Sequence, residues 1–359
     1  MFPSWDMNCE SGSHAMRGLR KSAAGLICLF ALATAGCSVG SSDGSGDSGT
    51  ADSAPSADPS TGTPSASATG YAPYVSATTA SDLDSAGSPA TYNLAFVISS
   101  GSGCTPEWNG SSAVDDAAVA SRISDLTAAG ATVRVSFGGA SGKELAATCD
   151  SAEDLAQAYG EALDAAGGAT LADFDIEGDE LTDSASVALR SEAIALLQEE
   201  RSGLKVSFTL PVMPSGLDDD GVALLQSAND HAVRVSTVNL MTMNYGESYS
   251  GDMGDYALTS AEAAHAQLKE VFGLSDANAW RGMALTSMIG VNDVDGETFT
   301  LDDAAEVRAF AEEKEIAWVS MWSTFRDQPC DDDADSDDAA TDCSGVDQEA
   351  GAFGEALAG

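Results

Sequence analysis

Short runs dense in β-branched and aromatic residues recur along most of the chain, at 71–75, 92–98, 132–137, 171–176, 204–210, 237–243, 283–289 and 316–322. Between them lie Ala-rich stretches with apolar residues at helical spacing, among them 113–129, 152–166, 184–198, 261–272 and 302–313. Each is opened or preceded by an Asp, Ser or Thr able to cap it. Strands that alternate with helices pair in parallel, because each crossover carries the chain back to the start of the next strand. Eight such units over about 290 residues predict the α/β class and a (β/α)8 TIM barrel, with a doubly wound open sheet as the alternative. In a barrel the chemistry gathers at the C-terminal ends of the strands, so those ends carry the functional reading.

The first 70 residues lack this alternation. From Met16 the chain reads MRGLRK, then the apolar run SAAGLICLFALATAG, then Cys37. A basic stretch followed by an apolar run too short for a permanent span predicts a signal peptide over 1–36, with Met16 as an alternative start. TAGC resembles a bacterial lipobox, which implies a diacylated Cys37; Thr34 stands where Leu is usual, and ordinary signal cleavage is the alternative. Residues 37–70 are almost entirely Ser, Gly, Asp, Thr, Pro and Ala, a composition that cannot bury enough apolar surface to offset the entropy of ordering, and they predict a disordered linker. The expected organisation is a signal peptide (1–36), a lipid-anchored linker (37–70) and a barrel (71–359), at the cell surface or outside the cell.

Charge narrows the partners. With 15 Lys and Arg against 57 Asp and Glu, the formal charge is −42, which excludes a nucleic-acid binder and any membrane contact other than a lipid anchor. Such a surface suits high salt, where screening relieves self-repulsion. Three His residues scattered among seven Cys give no zinc pattern, and no metal or cofactor is expected. Cys9 and Cys28 leave with the signal, Cys37 carries lipid, and four cysteines remain for an oxidising compartment. Of the three pairings, Cys104–Cys149 and Cys330–Cys343 join loops that the strand count places at one end of the fold. The run Asp331-Asp332-Asp333-Ala334-Asp335-Ser336-Asp337-Asp338 reads either as a solvated charge run or as a Ca²⁺ loop.

The fourth strand ends Ala172-Asp173-Phe174-Asp175-Ile176-Glu177-Gly178. Residues two apart share a face, so three carboxyl groups project together into the barrel while Phe174 and Ile176 pack outward. Repulsion and desolvation must keep at least one of them protonated near neutral pH, and a protonated carboxyl at a barrel mouth is a general acid. Acids alternating with polar residues would read as a solvated edge; acids alternating with Phe and Ile do not.

This segment resembles the D-G-x-D-x-D-x-E signature of glycoside hydrolase family 18, the chitinases and endo-β-N-acetylglucosaminidases. Ser136-Phe137-Gly138-Gly139, Met241-Thr242-Met243-Asn244-Tyr245 and Ser320-Met321-Trp322-Ser323 are similar to the family's marks on strands three, six and eight. The likeness covers 71–359 and is greatest to secreted actinobacterial types. Thr170 and Leu171 stand where the first Asp and the Gly of the signature would be.

The resemblance implies that Glu177 is the general acid and then the base, that Asp175 grips the substrate's N-acetyl group, and that Asp173 shares a proton with Asp175. Tyr245 is then the donor to the acetamido carbonyl beside Asn244, although another register of the family's mark would put Met243 in that place. Trp322 is either the floor under the distorted sugar or a core residue, and Trp108 either stacks a sugar or anchors its loop. Ser136, Gly138 and Gly139 line the substrate side chiefly by giving backbone room. The implied function is a monomeric chitinase acting on chitin or N-acetylglucosamine oligosaccharides by a retaining, substrate-assisted mechanism. The alternatives are an endo-β-N-acetylglucosaminidase on N-glycans and a non-hydrolytic chitin-binding barrel.

Overall fold

The computed structural model describes residues 69–101, 103–331 and 341–359. The signal segment, Cys37, nearly all of the linker and residues 332–340 of the acidic run lie outside these. In chain order the strands are β1 (Gly70–Tyr71), β2 (Tyr74–Ser76), β3 (Thr91–Ser99), β4 (Pro106–Trp108), β5 (Ser112–Ala113), β6 (Thr132–Gly138) and β7 (Leu171–Asp175). They continue with β8 (Lys205–Pro211), β9 (Val235–Met241), β10 (Met283–Met288), β11 (Gly290–Val291), β12 (Thr298–Phe299) and β13 (Trp318–Trp322). The helices are α1 (Ala117–Thr127), α2 (Ala152–Ala165), α3 (Gly178–Thr182), α4 (Ser184–Glu200), α5 (Asp219–Asp230), α6 (Met253–Phe272), α7 (Asp276–Arg281), α8 (Leu301–Lys314) and α9 (Ala352–Ala358).

All eight expected strands are present, and β3, β6, β7, β8, β9, β10 and β13 pair in parallel in that order. The first strand departs from expectation. Its start, β1, pairs with β13, and its end, β2, pairs with β3. Pro73, which has no N–H to give a ladder, stands between the two halves. The sheet is therefore an open path of ladders whose two ends are spanned by one short segment, not a continuous closed ladder. Around it the fold is the α/β arrangement the periodicity predicts.

Capping explains where the helices begin. Asp116, Ser151, Asp183, Asp218, Asp252 and Thr300 each accept a backbone N–H at the start of a helix, and Thr300 with Asp303 forms a reciprocal capping box on α8. The 261–272 helix extends back to Met253, because Asp252 is the residue that caps it. Between the sheet and α2, Phe137 and Phe174 stack at 5.2 Å and Tyr159 meets both edge-on. Phe174 thus packs outward, which leaves its neighbours Asp173 and Asp175 pointing inward. Among the described residues no helix is long and apolar enough to cross a membrane.

Both expected disulfides are present, with Cα separations of 4.5 Å for Cys104–Cys149 and 5.0 Å for Cys330–Cys343. Each ties loops that follow the C-terminal ends of strands. Asp327 accepts the Phe353 and Gly354 amides and so caps α9, while Arg326 donates to the Val291 carbonyl. The two serve the barrel rim separately.

Candidate active site

The acids of β7 fall into two environments. Asp173 lies deep and accepts hydroxyl donors on both oxygens: Ser136 at 2.8 Å, Tyr74 at 3.1 Å, Ser207 at 2.5 Å and Thr209 at 2.9 Å. The carboxyl group thus accepts on both of its oxygens. The cage extends across the interior, since Asn239 donates to Thr209 at 3.0 Å and accepts from Thr286 at 2.9 Å.

Asp175 and Glu177, nearer the mouth, hydrogen-bond to each other. Burial, then the charges of Glu177 and Asp173, push Asp175 well above the usual carboxylate range. Burial pushes Glu177 up to about 7, against a lowering by the bond from Asp175. Both carboxyls are therefore held above the ordinary carboxylate range, and Glu177 is poised to gain and lose a proton near neutrality. The Oδ1 atom of Asp175 is buried with no hydrogen-bond partner. This corrects the expectation that Asp173 and Asp175 share a proton: the four hydroxyls engage Asp173, and Asp175 turns to Glu177. Thr170 is exposed before β7 begins, where its carbonyl accepts the Lys205 amide, so the departure from the signature lies at the far end of the strand.

The pocket above the pair is lined by Asp175, Glu177, Met243, Asn244, Asp293 and Trp322, among others. Trp322 stacks on Phe96 at 5.6 Å and meets the edge of Tyr74 at 5.8 Å, so it forms an aromatic wall and not a core plug. A second recess, lined by Val75, Asn109, Phe325 and Asp342, shares Trp322 and Phe96 with the first. A third, lined by Pro211, Val212, Met213 and Asp218, shares Glu177, Met243 and Asn244 with it. The acid thus stands between two recesses in one cleft.

Three other expectations are corrected. Tyr245 does not line the pocket; it is buried against Tyr249 and Tyr256. Asn244 has a left-handed backbone with φ of 54°, which breaks the strand's alternation, so Met243 and Asn244 both face the cleft and Tyr245 turns away. Burial raises the Tyr245 hydroxyl well above the ordinary tyrosine range. Tyr245→Phe is accordingly expected to leave kcat and KM within about twofold of wild type in steady-state assays, because the change removes a buried hydroxyl that meets no substrate.

Trp108 is buried in β4, donates from Nε1 to the Val114 carbonyl at 3.3 Å and anchors its loop, so it stacks no sugar. Ser136 is fully buried on Asp173 and acts by orienting that carboxylate. Gly138 and Gly139 do give backbone room, though neither lines the pocket. A Cβ on Gly138 would lie 2.1 Å from the Asp175 carbonyl, and the Gly139 amide donates to that carbonyl at 2.9 Å.

Sequence reasoning gave no site role to Tyr74, Phe96, Thr209, Met241, Met288 and Asp293, although Met241 opens the strand-six mark; their common signal is a place at or near a strand end. Among the described residues Asp252, Asp303 and Glu306 are close enough to share a cation. Asp252 and Asp303 are already engaged by helix N-termini, away from the cleft.

No profile of a known protein family matches the chain. It is 36% identical over 278 residues to a probable bifunctional chitinase/lysozyme of Escherichia coli, an alignment covering 72% of this chain and 31% of that protein. It is 35% identical over 277 residues to Endochitinase 11 of Metarhizium anisopliae, covering 72% of this chain and 52% of that one. The chain thus spans about a third and a half of the length of these two relatives. Among solved structures it is similar to active domain 2 of a chitinase from Pyrococcus furiosus, with 30% identity and a TM-score of 0.70. That match covers 80% of this chain and 93% of that domain, and the same domain has been solved with chito-oligosaccharides. A likeness of this identity over nearly the whole of a solved chitinase domain shows that the chain belongs to the chitinases of glycoside hydrolase family 18.

Proposed function

We propose that this protein is a chitinase that hydrolyses β-1,4-linked N-acetylglucosamine polymers with retention of configuration. The observation that carries the proposal is the hydrogen-bonded Asp175–Glu177 pair at the foot of an aromatic-walled pocket. Glu177 gives its proton to the glycosidic oxygen as the C1–O bond breaks. The carbonyl oxygen of the substrate's own acetamido group bonds to C1, a nucleophile whose effective molarity is high because it is already attached. Asp175 offers its unpartnered Oδ1 to the acetamido N–H and stabilises the positive oxazolinium. Water then attacks C1 as the bond from C1 to the acetamido oxygen breaks and restores the acetamido group, while Glu177 takes a proton from that water. Trp322 supplies the flat face against which the sugar ring packs. The intact acid pair argues against a non-hydrolytic barrel.

Recesses on both sides of Glu177 support cleavage within chains. Product analysis on chitin oligosaccharides beside a high-mannose glycopeptide tests the reading. Hydrolysis of the oligosaccharides, with the β-anomer seen first by NMR, is expected; cleavage of the glycopeptide alone would replace it with an endo-β-N-acetylglucosaminidase.

The proposal extends to location. A basic and apolar segment ending in Thr34-Ala35-Gly36-Cys37, followed by a polar linker to residue 70, supports export and lipid anchoring of a monomeric barrel. Metabolic labelling is expected to place a fatty acyl group on Cys37, and Cys37→Ala to release the enzyme into the medium. An unlabelled mature terminus elsewhere would make it a freely secreted protein.

A further inference from the structure

Glu297 has no part in the acid pair, yet it is fully buried. It lies just before β12, in the turn that joins β11 to β12, and its Oε1 accepts the Gly246 amide at 2.8 Å. The Asn244 and Tyr245 amides nearby also favour its charged form, against the raising effect of burial, and its Oε2 is buried with no hydrogen-bond partner. The turn that presents the Gly246 amide to this anion visits positive φ, at 54° for Asn244 and 110° for Gly246. A buried carboxylate is costly without a donor, so the Gly246 amide and the acid require each other.

The outer side of this turn is the cleft. Met243 and Asn244 line both the pocket and the recess beyond Glu177. The Nδ2 atom of Asn244 lies 3.4 Å from Oδ2 of Asp293, which faces the pocket from the same turn as Glu297. That turn is itself braced: the Asn292 amide donates to the Glu297 carbonyl, and the Asn292 side chain donates to the carbonyls of Met288 and Gly290. One buried carboxylate therefore ties the loop after β9 to the loop after β10 and fixes the Asn244–Asp293 pair across their junction.

We infer that Glu297 is a positioning residue for substrate: by clamping the Gly246 amide it holds the turn so that Asn244 and Asp293 stand as one donor and one acceptor for the hydroxyls of the sugar chain at the cleavage point. The inference rests on the chitinase reading above. Glu297 acts through the turn and touches no sugar. Its loss should weaken binding and leave proton transfer by Glu177 intact.

Glu297→Gln keeps the shape and one acceptor oxygen but removes the charge that faces the Gly246 amide. With a chitin pentasaccharide, KM is expected to rise about tenfold while kcat stays within threefold and the pH profile of kcat is unmoved, a split typical of lost ground-state binding. Asn244→Gly retains the left-handed turn and deletes the side chain. In that background Glu297→Gln should raise KM far less than it does alone, the coupling expected of residues acting in series. Circular dichroism and a thermal melt of each variant separate lost folding, which lowers the active fraction and hence apparent kcat, from lost positioning. A wild-type KM for Glu297→Gln, or the same KM increase in the Asn244→Gly background, would overturn the inference while leaving the chitinase reading in place. A wild-type protein unable to cleave the pentasaccharide would overturn both.

Discussion

Glu177→Gln is expected to lower kcat on chitin oligosaccharides by at least about 10²–10⁴-fold, the range general acid–base catalysis supplies, while oligosaccharide binding survives. The amide fills the same space and carries no transferable proton. The wild-type enzyme should lose activity as the pH rises through about 7, where Glu177 gives up the proton it must donate. Stability gives a second readout with a definite sign. Glu177 titrates higher in the folded protein than in the unfolded chain, so the fold holds more protons than the unfolded chain between the ordinary carboxylate range and about pH 7. Stability therefore falls with rising pH across that window. Glu177→Gln removes this liability and should melt above wild type at pH 8, with the gap closing near pH 4. A thermal melt across pH checks it, and retention of wild-type turnover by the variant would remove Glu177 from its role.

Asp175→Asn should cost about 10²–10³ in kcat, the loss typical when one electrostatic stabiliser of a charged intermediate is removed. Asn can still donate to Glu177, so the alkaline limb of the pH profile should move little. Asp175→Ala is different. The bond from Asp175 lowers the Glu177 pKa, and its removal should shift the alkaline limb upward as well as slow the reaction. Fully deacetylated chitosan should be inert with every variant and with wild type, because it lacks the carbonyl oxygen that attacks C1. Rapid chitosan cleavage, or an α-anomer as first product, would send the search to another carboxylate.

The parts of the site that the sequence discloses are those where a strict period of two meets burial. Asp173, Asp175 and Glu177 alternate with Phe174 and Ile176, and Phe174 does pack outward onto Phe137 and Tyr159. The period fails as soon as the chain leaves the strand. Tyr245 sits four residues after Met241 and would share its face in an extended chain, but one left-handed residue, Asn244, sends it into the core. Trp108 belongs to a three-residue antiparallel strand too short to show a pattern, so its burial in the sheet was illegible. Glu297 is one acid among 57, and nothing local marks it; its role exists only because the Gly246 amide, 51 residues earlier, bonds to it. The first strand was legible as a strand, but not as two half-strands pairing with opposite neighbours, although Pro73 is a visible reason for the break.

That divided first strand has a consequence for when the enzyme becomes active. Tyr74, which helps hold Asp173, follows directly on a segment whose partner strand begins at Trp318. The ends of the sheet can be brought together only after nearly the whole barrel has been made, and the closure of so long a loop is entropically costly until the final strand supplies its contacts. The carboxylate cage is therefore among the last features to assemble. A nascent chain, or a fragment lacking either end of the barrel, should carry every acid of the signature and hydrolyse nothing.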